Sequence, residues 1–144
     1  MISFKVMQRA ITAQLKNAVP GVKVYTNDIK KINQEALFIT FLPVRQLPID
    51  DLYATKVFRT IIQYFPNLQD KMQDRMYEVM DILNREFRTL KVEDRVITVQ
   101  EETESTIVDN VLHFNVSFEF VDLIGSEEMN DPMETLDFNY ELGG

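Results

Sequence analysis

Residues Val111–Val121 read VLHFNVSFEFV. Leu112, Phe114, Val116, Phe118 and Phe120 alternate with His113, Asn115, Ser117 and Glu119. A period of two sends successive side chains to opposite faces of a sheet, so this stretch predicts a strand with one apolar and one polar face. Three phenylalanines on the same face bury enough area to anchor a core. The strand is therefore placed at the centre of a sheet whose apolar face is covered by helices.

Immediately upstream, Asp109-Asn110 reads as a turn, with Val96–Gln100 and Thr106–Val108 as strands before it. Downstream, Gly125 breaks the alternation and an acidic linker follows. Leu136, Phe138, Tyr140 and Leu142 then alternate with Asp137, Asn139 and Glu141, the pattern of an ordered strand. Residues 1–124 are expected to form a single α+β domain, and residues 125–144 an acidic linker with a carboxy-terminal strand or arm. A linker of that composition can let the strand leave its own domain and pair with the sheet edge of a neighbouring subunit. Leu136, Phe138, Tyr140 and Leu142 are accordingly candidate interface residues, and folding back on the parent sheet is the alternative.

Toward the amino terminus, Ser3 caps a helix whose Phe4, Met7, Ile11, Leu15 and Ala18 recur at three- and four-residue spacing, and Pro20-Gly21 ends it. Val22–Thr26 and Ala36–Leu42 are strand candidates, joined by a polar connection over Asn27–Glu35. Pro43–Asp51 contains two prolines and is expected to be a protruding loop rather than a regular ladder. Its Arg45, Leu47 and Ile49 are candidate contacts to a neighbouring subunit or another component. Leu52–Phe65 reads as a long strand pairing back on the second one. After Pro66, Asn67 caps the main helix, with Leu68, Met72, Met76, Val79, Met80, Leu83 and Phe87 as its apolar stripe. Lys71, Asp74, Arg75 and Glu78 are assigned to its solvent side. The architecture expected is one mostly antiparallel β-sheet with two main α-helices packed on one face.

Charge is unevenly distributed. The net charge is −8, yet all 15 Lys and Arg lie at or before Arg95. Residues 96–144 carry 12 acidic residues and no Lys or Arg, against 15 basic and 11 acidic residues before them. Such asymmetry suggests electrostatic self-association or an acidic surface facing a partner, with a well-solvated acidic third as the alternative. It also argues against tight binding to a nucleic-acid backbone. No run reaches the length of a membrane span and the first residues lack a signal-peptide pattern, so the mature protein is expected to be the whole chain.

The residues that carry chemistry are sparse. His113 is the sole histidine and there is no cysteine, which leaves no transition-metal ligand cluster. A Ser/His/Asp arrangement would need His113 beside Ser117. Residues four apart on a strand sit roughly 13 Å from each other, too far for a hydrogen bond. Glu101, Glu102 and Glu104 cluster, as do Asp50 and Asp51, but a calcium loop needs a glycine at its sharp turn and neither cluster has one. Four glycines in the chain form no phosphate-binding loop. No catalytic residue, cofactor site or metal site is assigned.

The run Ile107-Val108-Asp109-Asn110-Val111-Leu112-His113-Phe114 resembles a signature of small phage tail terminator proteins. Tyr64-Phe65-Pro66 followed by the Asn67 helix resembles the same family, and the likeness extends roughly from Ser3 to Leu136. Members commonly carry glycine after the aspartate. Asn110 stands there instead, and asparagine is the next-best residue for a positive-φ position, so the hairpin survives. The family occurs in tailed phages, prophages and phage-tail-like particles of Gram-positive bacteria. The resemblance implies a non-enzymatic virion tail protein: a ring, usually a homohexamer from subunits that can be monomeric when free. Such a ring caps the head-proximal end of the tail tube. Implied partners are the tail tube protein and, beyond it, sheath and head connector, with no cofactor and no membrane. In such a ring Glu101, Glu102 and Glu104 are candidates to line the lumen, where like charge would let DNA pass. A ring closes by joining two different patches of one protein, which suits the charge asymmetry. Two other readings compete: another head–tail joining or minor tail protein, or a small ligand-binding domain using the polar strand face around His113 and Glu119.

Overall fold

The computed structural model describes residues 2–26, 35–42, 44–66, 72–99 and 102–125. Helix α1 spans Phe4–Ala18 and is followed by strands β1 (Lys23–Tyr25), β2 (Ala36–Phe41), β3 (Arg45–Pro48) and β4 (Tyr53–Phe65). Helix α2 (Met72–Glu86) precedes β5 (Thr89–Val92), β6 (Arg95–Thr98), β7 (Glu104–Val108) and β8 (Val111–Leu123). The main sheet runs β1-β2-β4-β8-β7, and β3 also pairs with β4. Every pairing is antiparallel except β1 with β2. The fold is α+β, as expected.

Two long strands hold the sheet together. β4 and β8 pair from Tyr53↔Leu123 to Tyr64↔Leu112. Leu112, Phe114, Val116, Phe118 and Phe120 of β8 are all buried, beside Phe58, Ile62 and Tyr64 of β4. Met7, Ile11 and Leu15 of α1 and Met76, Val79 and Leu83 of α2 close over that face in one cluster. Both helices thus lie on the same side of the sheet. The Ser3 hydroxyl accepts a hydrogen bond from the Val6 amide at 3.2 Å, satisfying one of the free donors at the start of α1. Gly21, at φ 85°, takes the left-handed turn that an ordinary side chain resists.

Asp109 and Asn110 form the two-residue turn between β7 and β8, with φ of 51° and 62°. Positive φ at both central residues matches the right-handed twist of the flanking strands. Asn110→Ala is expected to lower stability by about 1 kcal/mol, because alanine tolerates this region poorly. Asn110→Gly should show no such loss when the three proteins are compared by chemical denaturation.

Three sequence expectations need correction. The protruding loop expected over Pro43–Asp51 contains a strand: Arg45–Pro48 is registered Arg45↔Val57 to Pro48↔Ala54. Proline is accepted there because Pro48 is the last residue of a peripheral strand. The turn into β4 is tight, with the Asp50 carboxylate accepting from the Leu52 and Tyr53 amides at 2.8 Å each. Second, Thr89–Val92 pairs with Arg95–Thr98 in a separate two-stranded sheet, so the strand expected at Val96–Gln100 is half of a hairpin. The Gln14 side chain ties that hairpin to α1, donating to the Glu86 and Thr89 carbonyls at 2.8 and 2.7 Å. Third, Arg75 is half-buried rather than solvent-facing, and donates to the Glu35 carboxylate at 2.8 Å. The expected Asn67 cap, the connection over residues 27–34 and the strand Leu136–Leu142 lie outside the described residues.

At the far end of β8, the Gly125 amide donates to the Leu52 carbonyl at 3.1 Å. A β-carbon on Gly125 would stand 2.5 Å from the Asp51 carbonyl oxygen. Glycine is therefore required by close approach of two backbones as well as being a break in the strand pattern.

Candidate functional site

Among the described residues nothing covers the opposite face of the sheet, and its side chains fall in rows across the strands. Leu47, Thr55 and Val121 form one row, and Arg45, Val57 and Glu119 the next. Arg59 pairs with Ser117, and beyond it come Ile61, Asn115 and Glu104, then Gln63, His113 and Thr106. One end of this face is apolar and the middle is charged.

The apolar end is conspicuous for its exposure. Leu47 is 69% exposed, Ile49 56%, Tyr53 43% and Val121 49%. Tyr53 stands opposite Leu123, one step beyond the Leu47 row. These residues share the tip of the β3–β4 hairpin and the end of β8. Single exposed apolar residues are ordinary, but a contiguous group on one strand end is a candidate contact surface. Of the candidates in Pro43–Asp51, Arg45, Leu47 and Ile49 all belong to this face.

The charged middle forms two open concavities. One, about 550 Å³, is lined by Arg59, Glu102, Glu104, Asn115 and Ser117 among others. The other, about 420 Å³, is lined by Arg45, Leu47, Arg59 and Glu119 among others. Glu104 accepts a hydrogen bond from the Asn115 amide nitrogen at 3.3 Å. His113 lies beside Gln63, with the Gln63 amide nitrogen 3.3 Å from Nδ1. Of the three glutamates expected to share a surface, Glu102 and Glu104 do, and Glu101 lies outside the described residues. Leu136, Phe138, Tyr140 and Leu142 also lie outside them. Among the described residues no group of three or more His, Cys, Asp or Glu gathers as a metal site, and no helix is long and apolar enough to cross a membrane.

Two polar clusters fix the surfaces in place. At the apolar end, Asp122 is buried on the helix side of β8 and accepts from Lys56 Nζ at 2.9 Å and from the Ile2 amide at 2.8 Å. Lys56 Nζ also donates to the Ile2 carbonyl at 3.2 Å, and Arg95 stands 3.6 Å from the second Asp122 oxygen. Burial pushes the Asp122 carboxyl up. The Lys56 bond, the Ile2 amide and the Lys56 charge outweigh it and hold the group below the usual carboxylate range. At the other end, the Tyr64 hydroxyl and Arg75 both donate to Glu35. Burial raises the Tyr64 pKa and the Glu35 carboxylate raises it further. The same Tyr64 and Arg75 bonds overcome burial to lower that of Glu35.

Sequence reading did not find the Lys56–Asp122 pair, although its signal was present. Lys56 falls on the inward parity of β4 and Asp122 on that of β8. Opposite charges at inward positions of neighbouring strands are the mark of a buried pair.

A family model described as phage tail terminator protein matches residues 7–130. No curated protein matches the chain. Among solved structures that resemble the chain, one is similar at 13% identity over 85% of this chain and 96% of its own, with a TM-score of 0.41.

Proposed function

Because the chain belongs to the phage tail terminator family, we propose that it assembles as a ring that caps the head-proximal end of the tail tube and joins the tube to the head. The family is one of structural phage tail proteins, which places the chain's role in the virion tail. The family match over residues 7–130 is the observation that carries this reading. Support comes from the uncovered sheet face, which offers one apolar end and one charged middle as separate contact surfaces. The tail tube protein is the proposed partner of the apolar end, with sheath and head connector as further neighbours.

The test is the tail-length distribution in particles made without this gene. Overlong tails lacking heads are expected, and tails of normal length joined to heads would refute the role. A finer outcome concerns the hairpin tip. Leu47→Asp with Ile49→Asp alters two exposed side chains, so denaturation midpoints should stay within about 0.5 kcal/mol of the parent. Tails completed with this double variant should fall at least tenfold, because a charge set into an apolar contact is left without water or a partner. Full complementation would exclude the tip from the interface.

A further inference from the structure

We propose that the basic α1–β1 edge of one copy seats against the acidic β7 edge of the next, so that the ring closes through unlike sheet edges. The inference rests on the terminator reading for its biological setting, but its physical basis is separate.

β1 and β7 are the two ends of the main sheet. Among the described residues, neither has a second strand partner. Residues 2–26, which make α1 and β1, carry Lys5, Arg9, Lys16 and Lys23 and no acidic residue. Residues 102–125, which make β7 and β8, carry Glu102, Glu104, Asp109, Glu119 and Asp122 and no Lys or Arg. Asp122 is engaged internally by Lys56, while Glu102, Glu104 and Asp109 are exposed. The charge separation seen along the sequence thus becomes a separation across the sheet, from one edge to the other.

The basic edge is also a shaped surface. Arg9 and Lys16 line a concavity of about 570 Å³ together with Thr26 and Phe41, so cations from α1 stand beside the end of β1. Strand direction fits the contact as well. β1, β2 and β8 run one way, and β4 and β7 the other. Two copies set side by side therefore bring β7 against β1 antiparallel, the more stable of the two ladders. Contact between like edges would set carboxylate against carboxylate or cation against cation. Repulsion selects the unlike pairing, and an unlike pairing is the heterologous kind that closes rings. Glu102 and Glu104 then lie between subunits instead of lining the lumen.

Charge reversal tests the inference in a host whose phage lacks this gene. Lys16→Glu with Lys23→Glu sets two carboxylates on the α1–β1 edge to face those of β7, and Glu102→Lys with Glu104→Lys sets two cations on the β7 edge to face those of α1 and β1. Either variant alone should reduce the number of normal-length tails at least tenfold. Combining all four changes in one chain, or coexpressing the two variants, should restore tails to within twofold of the parent. Single variants that complement fully, or a combination that restores nothing, would overturn the inference.

The purified protein gives an answer independent of tails. The chain has no cysteine, so Thr26→Cys and Thr106→Cys can be introduced cleanly at the two edges. A short bismaleimide should link the double variant at high concentration into dimers and larger ladders, and should leave each single variant monomeric. Dimers from a single variant, or no ladder from the double, would overturn the edge contact. Normal tails in the absence of the gene would instead overturn the terminator reading, while the ladder would still decide the contact.

Discussion

Phe118→Ala should lower unfolding free energy by about 3–5 kcal/mol, as expected for truncating a fully buried aromatic side chain. Phe118 has no exposed surface and packs in the cluster shared by β4, β8 and both helices. Its ring centroid lies 6.4 Å from that of Phe87, beyond the end of α2. Alanine would leave a void bounded by the sheet and the residue that follows α2, and two long strands registered to each other cannot move inward to fill it. Domains of this kind have about 5–15 kcal/mol of stability in all, so the loss is a large share of the margin. The check is a denaturant midpoint beside Val121→Ala on the same strand. Val121 is about half exposed, and its change should stay within about 0.5 kcal/mol. Equal effects at the two positions would contradict the assignment of the two faces.

Asp122→Ala is expected to cost about 3–5 kcal/mol, since it leaves the Lys56 ammonium buried without its counter-charge. Lys56 and Asp122 side chains are 9% and 4% exposed. Lys56→Met should cost less. It leaves Asp122 with the Ile2 amide and Arg95, both in place around the carboxylate. Replacing both, as Lys56→Met with Asp122→Leu, should recover much of the loss, because a well-packed apolar pair needs no desolvation of charge. A double variant as unstable as Asp122→Ala alone would show that the pair holds the Ile2 backbone in a way that packing cannot replace. The pH dependence follows from the direction of the shift. The folded carboxyl titrates below its unfolded value of about 3.9, so the pair contributes fully above that pH. The contribution is lost as pH falls through the lower, folded value. Asp122→Ala should therefore flatten the acid limb of the stability curve.

The long strands and both helices were legible because their periodicity was unambiguous. β8 alternates from Leu112 to Phe120, and α1 repeats at helical spacing between a serine cap and a glycine stop. What escaped were short elements whose order comes from neighbours. β3 has four residues, all exposed and one of them a proline, hence no alternation of burial to advertise a strand; its ladder to β4 makes it one. The β5–β6 hairpin turns at Glu93-Asp94, with Glu93 at φ 55°. Glutamate is a poor indicator of that conformation, where Asn or Gly would have marked the turn. Of the candidate surface, Leu47 and Ile49 were found from sequence. Tyr53 and Val121 were not, because only the register between β4 and β8 brings them to the same end. The excess of acidic residues after Arg95 was plain in the sequence, but its spatial meaning needed the strand order.

That strand order also bears on how the protein is made. β8 is the last of the described elements in chain order, yet it pairs with β4 across more than forty intervening residues and closes the core. While the ribosome is still adding the residues of β8, the inward side chains of β4 have no neighbour on that side and the helices have half a sheet to cover. Closing loops of this span before any contact repays them makes folding slow. A nascent chain paused at this stage displays a bare apolar strand edge, ready to join another such chain. Yield in a heterologous host should therefore respond to translation speed through codons 111–123 and to chaperone supply more than to the stability of the finished domain.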